Sequence, residues 1–514
     1  MKARLMWLVL AAALLAACGG NGNSPADRIP DQFELGSVND AYPGYFYGVS
    51  VTISGLEKGK RVPAYLGDAT TDQIALYING ESVSPLQGGR VRNGDIVTVR
   101  LQAGQEPGGE AVVSLFAGDP PVSAVFKVTT RTTDDPPEII VDFPPPVSLT
   151  DASTVMVRGR VLEGGAPVFV GGQEATVNPD GSWFVEHPLA EGAQEVAVRV
   201  VEGTGIIEVP LSVTRLPVIG TEPFGTGYSL FGLGGLVIIP GSTRLLYGVF
   251  GSIAELDLST GERRKWVENF EGVFDGFLND IVLDAARLKV YASSYSGQHE
   301  GMALFDLEAG TVEAVSYKGD GKGDDALFGY VASVAFDPVN EVSYLLVRDA
   351  ADPMAGIWRI WRVDRDGNRE PVAEAPYSLH ARLRHDARNN RLLLAANDLY
   401  AIDPATGKGE VLAALEEGNW FLQLAADPES GEIAAYLRKT GDVYEIQLLR
   451  PGGQRVVLPG GGDPIFGPRL GHSYGYDVDW QHRVAYVGSA GPNHGTRITA
   501  IDLETGHRVI VAKE

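Results

Sequence analysis

The sequence predicts an all-β chain, two β-sandwiches followed by a six-bladed β-propeller. Three observations carry this. Short alternating segments such as Val49-Ser50-Val51-Thr52-Ile53 and Ile96-Val97-Thr98-Val99-Arg100 recur between Gly and Asn turns, the period-two pattern of half-buried strands. Consecutive prolines in Asp134-Asp135-Pro136-Pro137 mark a boundary, because such a run suits an extended linker better than a sheet interior. Beyond residue 216 the chain repeats. An anchor residue, usually Asp, precedes an apolar or tyrosine position by seven residues. The pairs are Pro240/Tyr247, Asp284/Tyr291, Asp337/Tyr344, Asp386/Leu393, Asp427/Ala434 and Asp479/Tyr486, with anchors 44, 53, 49, 41 and 52 residues apart. Each unit holds four short strands, the content of one blade. One blade cannot bury both of its faces, but blades packed in a ring can.

The chain starts with a basic segment (Lys2, Arg4) and an apolar run from Leu5 to Leu15, the layout of a secretory signal. The run is only about half of the ~20 residues that a membrane span needs. It ends in Leu15-Ala16-Ala17-Cys18, which holds the only cysteine of the 514 residues. This string resembles the lipobox of bacterial lipoproteins, in which the cysteine thiol receives a lipid and becomes the new N-terminus. The resemblance implies a signal peptide over 1–17, lipidation of Cys18, and a bilayer as the first partner, since stable anchoring takes more than one acyl chain. Gly19 stands where an aspartate would be the inner-membrane retention signal. By resemblance to lipoproteins of two-membrane bacteria, that points to the outer membrane, facing the periplasm or the surface. Residues 18–30, rich in Gly, Asn, Ser and Pro, read as a flexible tether.

Residues 31–133 form the first predicted sandwich. The strings PDQFEL, VTISGL, YING, VRNGDIVTVRL and FKVTTR occur there in order, and together they resemble a β-sandwich module repeated in bacterial surface and secreted proteins. That implies an immunoglobulin-like spacer without chemistry. Residues 134–215 form the second. The run from Glu174 to Val200 resembles bacterial Ig-like domains of glucodextranase-B type, with Asn178-Pro179-Asp180-Gly181 turning a hairpin into the strand of Trp183 and Phe184. Trp183 is read as a core aromatic rather than a sugar platform.

In residues 216–514, a second string closes most units: LDLSTGE from Leu256, FDLEAGT from Phe305, VDRDGNR from Val363, IDPATGK from Ile402 and IDLETGH from Ile501, with a degenerate LLRPGGQ from Leu448. The Asp-led anchor turn joins the innermost strand to the second, and the closing turn joins the third to the outermost, where Gly supplies positive φ. These strings resemble six-bladed propellers of the TolB-like and gluconolactonase/regucalcin-like kind over Phe231 to Glu514. The fold class is then two immunoglobulin-like β-sandwiches followed by a six-bladed β-propeller. The scaffold hosts enzymes and binding proteins alike. The sixth unit supplies its own outermost strand from Arg508 to Ala512, so residues 216–230 are read as a cap on the ring.

Composition excludes several classes. A formal charge of -24, made more negative by removal of the signal, repels phosphate backbones, so nucleic acid is not a partner. With Cys18 lipidated, no disulfide or thiolate metal site remains. No Gly-x-Ser-x-Gly elbow or P-loop is present. Seven of the eight histidines lie beyond residue 216, without the His-x-x-x-His spacing of zinc sites.

Propeller ligands bind where the innermost strands begin. Four residues before each anchor stand Leu236, Asp280, Ser333, Arg382, Gln423 and Gly475. Four of these are polar on strands that otherwise read as buried, and a buried polar group needs a partner. They form either a self-satisfied network or a ligand site. Asn279, His380, Trp420, His472 and Tyr474 stand beside them, and Arg382 facing Asp280 would give an anion- or sugar-accepting mouth with aromatic walls. The expected ligand-binding residues are therefore Asn279, Asp280, Ser333, His380, Arg382, Trp420, Gln423 and Tyr474. No cofactor is expected, and calcium is the candidate cation. Phe277-Leu278-Asn279-Asp280 resembles the segment whose asparagine holds a divalent cation in gluconolactonase-like enzymes, but that family's other ligands have no counterpart here. Asp320, Asp324 and Asp325, in an acidic Gly-rich loop, are oxygen donors that suit calcium, although the loop lacks a full EF-hand spacing and reads first as solvated.

The sequence thus describes a lipid-anchored envelope protein whose propeller binds an envelope protein or a glycan, with the Ig-like domains as spacer. Two alternatives stay open: a metal-dependent glycan- or lactone-directed hydrolase or lyase using the channel, and an envelope assembly scaffold.

Overall fold

Among the described residues every regular element is a strand except one turn of 3-10 helix at Pro464–Phe466. The computed structural model describes residues 28–514 except 42–43, 45, 72, 105, 131–138, 162–166, 203–204, 268–276, 296–299, 350–356, 377–380, 460–462 and 492–494. The signal segment, Cys18, most of the tether, the Asp134–Pro137 boundary and His380 lie outside the described residues. The chain divides into two compact units, Met1–Asp135 and Pro136–Glu514.

In the first unit, one sheet runs in the order Ser37–Ala41, Pro121–Thr130, Glu110–Gly118, Val62–Gly67, Gly89–Val91, and a second contains Phe46–Thr52, Ile96–Gln102, Ile74–Ile78 and Glu81–Val83. The alternation of Ile96–Gln102 buries Val97, Val99 and Leu101, which is what the period of two demands of a strand with one face on a core.

The second unit begins with two sheets over residues 139–215. One holds Ile139–Phe143, Thr154–Val161, Ser182–Pro188 and Thr176–Val177; the other holds Val147–Thr150, Gly205–Arg215, Gly192–Glu202, Val168–Val170 and Gln173–Glu174. Asn178-Pro179-Asp180-Gly181 turns the hairpin: Gly181 has φ 84°, and the Asp180 carboxylate accepts from the Ser182 amide at 3.0 Å. Trp183 is buried.

Six antiparallel four-strand arrays follow in chain order. Their first strands are Gly235–Ile238, Phe277–Asp284, Val331–Asp337, Arg382–Asp386, Trp420–Ala426 and Ser473–Asp479. Each array adds its next three strands outward in sequence order. The anchors Asp284, Asp337, Asp386 and Asp479 end first strands, and Asp427 follows one. Their carboxylates hold the turns: Asp337 accepts from the amides of Val339 and Asn340 at 2.9 and 3.1 Å. The Asp of each closing string does the same after the third strand, as Asp257 does for the Ser259 amide at 2.8 Å. An Asp that satisfies the backbone amides two and three residues on favours a tight reversal over continued strand.

The six first strands touch in cyclic order, the sixth returning to the first. Apolar clusters fill the spaces between successive arrays: Leu246 and Ile253 with Leu278, Ile281 and Phe305, then Met302 with Phe328 and Trp361, and so on round the ring. Each such side chain contributes ~1.5–3 kcal/mol when fully buried. Between the sixth and first arrays the backbones come very close. A Cβ on Gly475 would lie 2.8 Å from the carbonyl carbon of Gly235, so only glycine fits there.

The segment read as a cap takes another role. Phe224 exchanges two backbone bonds with Lys513, at 3.0 and 2.9 Å, and Thr226–Gly227 runs parallel to the outer strand Glu262–Val267 of the first array. The Glu514 carboxylate accepts from the Ser229 hydroxyl at 2.7 Å and from the Phe231 amide at 3.1 Å. This stretch straps the outer strands of the first and sixth arrays together, pairing with both. On the same outer edge of the sixth array, Val147–Thr150 pairs with Arg508–Lys513 at Leu149–Ile510 and lies parallel to Gly205–Arg215. Arg158 adds a bond to the Asp502 carboxylate at 2.7 Å and another to the His482 carbonyl at 2.7 Å. The second pair of sheets and the ring are therefore one hydrogen-bonded body.

Candidate functional site

The residues four before each anchor share one rung of the ring, and two of them, Asp280 and Ser333, belong to a closed network with Arg384. The Asp280 carboxylate, buried to 2% exposure, accepts from Arg384 through both oxygens at 2.6 and 2.9 Å, from the Ile281 amide at 3.0 Å and from the Ser333 hydroxyl. The Ser333 oxygen in turn accepts from the Leu383 amide at 3.0 Å. Bidentate pairing of this kind is the strong form of ion pair. Burial works against the Arg384 charge, but Asp280 outweighs it and holds the group above its ordinary range.

Arg382 was expected to face Asp280; Arg384 does so instead. The two arginines lie on the same face of one strand, two residues apart, and Arg384 reaches back along the ring to the carboxylate. Arg382 is left at the mouth. Its Nη1 donates to the Ala381 carbonyl at 3.1 Å, and its Nε has no partner among the described residues. Burial lowers its pKa, Asp280 opposes that, and Arg384 adds to it.

Gln423 is the fourth polar member of the rung, at 1% exposure. Neither of its side-chain polar atoms has a partner among the described residues. One rung deeper, the Asp477 carboxylate accepts from the Ile238 amide at 2.9 Å. Burial pushes its pKa up to about 6, against the pull of the Ile238 and Val478 amides and of Arg384.

Four of the first strands carry a β-bulge at the same level. The extra residues are Asn279, Ala332, Leu422 and Tyr474, each immediately before its rung residue. A bulge re-aims the side chain it carries. Asn279 turns toward the neighbouring strand and donates to the Val331 carbonyl at 2.8 Å, while Tyr474 stands exposed, edge-on to His472 with ring centroids 5.3 Å apart.

Above the rung lies a cleft of about 490 Å³. Asn279, Arg382, Tyr330, Tyr474 and His472 line it, together with Phe231 and Phe277. These residues come from the starts of first strands around the ring, so the cleft is the mouth of the central channel. Of the expected residues, Asn279, Arg382 and Tyr474 meet here, and Asp280, Ser333 and Gln423 lie beneath. Trp420 does not line the cleft; Arg438 stacks over its ring at 5.2 Å. His380 lies outside the described residues. An aromatic shelf was not foreseen: Phe231, Phe250 and Phe277 follow one another with centroids 5.4 and 4.3 Å apart, and all three are exposed.

The acidic loop supplies its own cation. Arg369, itself buried, donates to Asp320 at 2.7 Å and to Asp325, and lies over the Phe328 ring at 4.3 Å. Asp324 accepts from the Ala326 amide at 3.0 Å. Burial opposes the Asp320 charge, yet the Tyr317 and Lys322 amides and Arg369 hold its pKa below the ordinary range. Among the described residues no three His, Cys, Asp or Glu side chains are grouped to hold a metal ion.

No family model and no curated protein matches the chain by sequence. Solved structures match by shape. TolB from Acinetobacter baumannii aligns with 68% of this chain and 80% of its own, at 13% identity and a TM-score of 0.41. An auxiliary nutrient binding protein from Bacteroides ovatus aligns with 74% of this chain and 99% of its own, at 15% identity and 0.38. Likenesses this low carry no argument about activity, and the fold rests on the cyclic order of the first strands. The chain has a propeller-type fold. Among the described residues no helix is long and apolar enough to cross a membrane.

Proposed function

We propose that this chain is a lipid-anchored cell-envelope protein whose six-bladed propeller binds a ligand at the channel mouth, with two immunoglobulin-like sandwiches as spacer between the anchor and the propeller in the chain. One observation carries the binding reading. A cleft of about 490 Å³, within the ~300–1,000 Å³ of small-molecule sites, is lined by Arg382, Asn279 and Tyr474 from the starts of three first strands, and the same ring holds a buried glutamine whose amide atoms have no partner among the described residues. The Leu15-Ala16-Ala17-Cys18 string supports the anchor. The lining of the mouth, where Arg382 and Asn279 stand among Phe231, Phe277 and Tyr474, supports the binding reading.

Two measurements test this reading. Thermal melting of the full chain against a panel of sugars, uronic acids and aromatic acids should give at least one stabilising ligand. Its shift should fall by more than half in Tyr474→Ala; a shift untouched by that change places the site elsewhere. Expressed in a two-membrane bacterium, the wild type should sediment with membranes and Cys18→Ala should not; equal partition of both removes the anchor.

A further inference from the structure

The cleft is chemically lopsided. On one side, Phe231, Phe250 and Phe277 make a continuous aromatic shelf, exposed by 66%, 42% and 47%. Phenylalanine is ordinarily buried, and three adjoining exposed rings mark a surface built to be covered. Arg382 shares the cleft lining with Phe231 and Phe277, and is the lysine or arginine of that lining. The groups acting on Arg382 are Asp280, Tyr330 and Arg384. Of these, Asp280 is already bound through both oxygens by Arg384. Asp477 acts on Arg384 and lies a rung deeper. Arg382 makes no ion pair among the described residues; its Nη1 donates to the Ala381 carbonyl, and its Nε–H, buried at the base of the side chain, has no partner there. A guanidinium in this position offers its fork to a planar anion.

We infer that the channel mouth takes a small organic anion, its carboxylate held by Arg382 and its flat apolar body lying on the Phe231–Phe250–Phe277 shelf. This rests on the ligand-binding reading and adds the class of ligand. The chain as a whole is acidic, with a formal charge of -24, so its general field repels such a molecule. Selection comes from Arg382, whose effect is greatest where the walls exclude water. Asn279 and the Tyr474 hydroxyl, at the rim of the same cleft, are placed to bond polar substituents on that body.

The test is calorimetric titration of the full chain with a matched pair, 2-naphthoate and its neutral amide 2-naphthamide. Naphthoate should bind at least about tenfold tighter, the factor expected of one charge-assisted hydrogen-bonded pair. In Arg382→Gln the pair should bind equally, with Arg382→Lys, which keeps the charge without the fork, in between. Phe277→Ala should weaken both probes about equally. Equal binding of the pair to wild type overturns the anion assignment, whether or not any variant folds, and leaves the mouth as a binding site if Phe277→Ala still weakens it. A preference that survives Arg382→Gln overturns the role of Arg382. Binding of neither probe overturns this inference, while a stabilising ligand from the panel would keep the binding reading standing without it.

Discussion

Asp280 and Ser333, on one rung of the second and third arrays, are bound to each other and to Arg384 of the fourth array two residues deeper, whereas the fifth array presents Gln423 on that rung to no partner among the described residues. The sixth presents only Gly475, and the first Leu236, which is buried. Both sides lie equally deep, so depth does not separate them. The number of complementary groups within reach does. Asp280 has three kinds of donor around it, and it makes that side a rigid wall. Gln423 has no group among the described residues that bonds either atom of its amide. A buried amide without partners costs ~1–3 kcal/mol, and that cost marks the side where an incoming molecule has something to gain.

The largest expected effect comes from breaking the satisfied side. Asp280→Ala leaves Arg384 buried without its carboxylate and should destabilise by ~3–5 kcal/mol, read as a fall in melting temperature. Pairing it with Arg384→Met should restore most of the loss, since an apolar replacement removes the stranded charge. A cost under ~1 kcal/mol for Asp280→Ala alone would mean that the network is not what holds this side.

Asp477→Asn sharpens the comparison one rung down. The folded-state pKa of Asp477 is raised from 3.8 to about 6. Between those values the folded protein keeps a proton that the unfolded chain has lost, so stability falls as pH rises through that window and levels off above it. The asparagine variant lacks this loss. It should exceed wild type by ~1–3 kcal/mol above pH 6 and match it below pH 4. Parallel pH–melting curves for the two proteins would contradict the raised pKa.

The smallest expected change in stability is at Gln423. Gln423→Leu should alter the melting temperature of the ligand-free chain by the equivalent of less than ~1 kcal/mol, or raise it, because the amide gives up no bond. The same change should weaken any ligand that reaches below the mouth by about tenfold. A large loss of stability would show that Gln423 already has partners and belongs with the satisfied side.

Much of this architecture is local chemistry, and therefore legible in the sequence. Each anchor Asp and each closing string encodes a reversal within a few residues, as Asp337 does with Val339 and Asn340. Counting back from those reversals reached the right rung. What the count missed has two causes. Arg384 sits two residues past the rung on the same face, and only its length lets it reach Asp280; the Arg382-Leu383-Arg384 alternation was the signal that two arginines share that face. The aromatic shelf joins Phe231 and Phe250 from two connections with Phe277 at the start of a strand, and no short-range spacing could relate them. Nor does alternation foretell a bulge, so the outward turn of Tyr474 had to be seen in the strand register.

The short strand Val147–Thr150 has a practical consequence for anyone who wishes to study the ring alone. Cutting the chain at residue 216 would strip the cover from Arg508–Lys513 and bare a row of amide and carbonyl groups where Leu149 meets Ile510. A bare edge recruits strands from other molecules. A fragment trimmed at the obvious boundary is thus set up to self-associate, and one begun upstream of Ile139 retains its own guard.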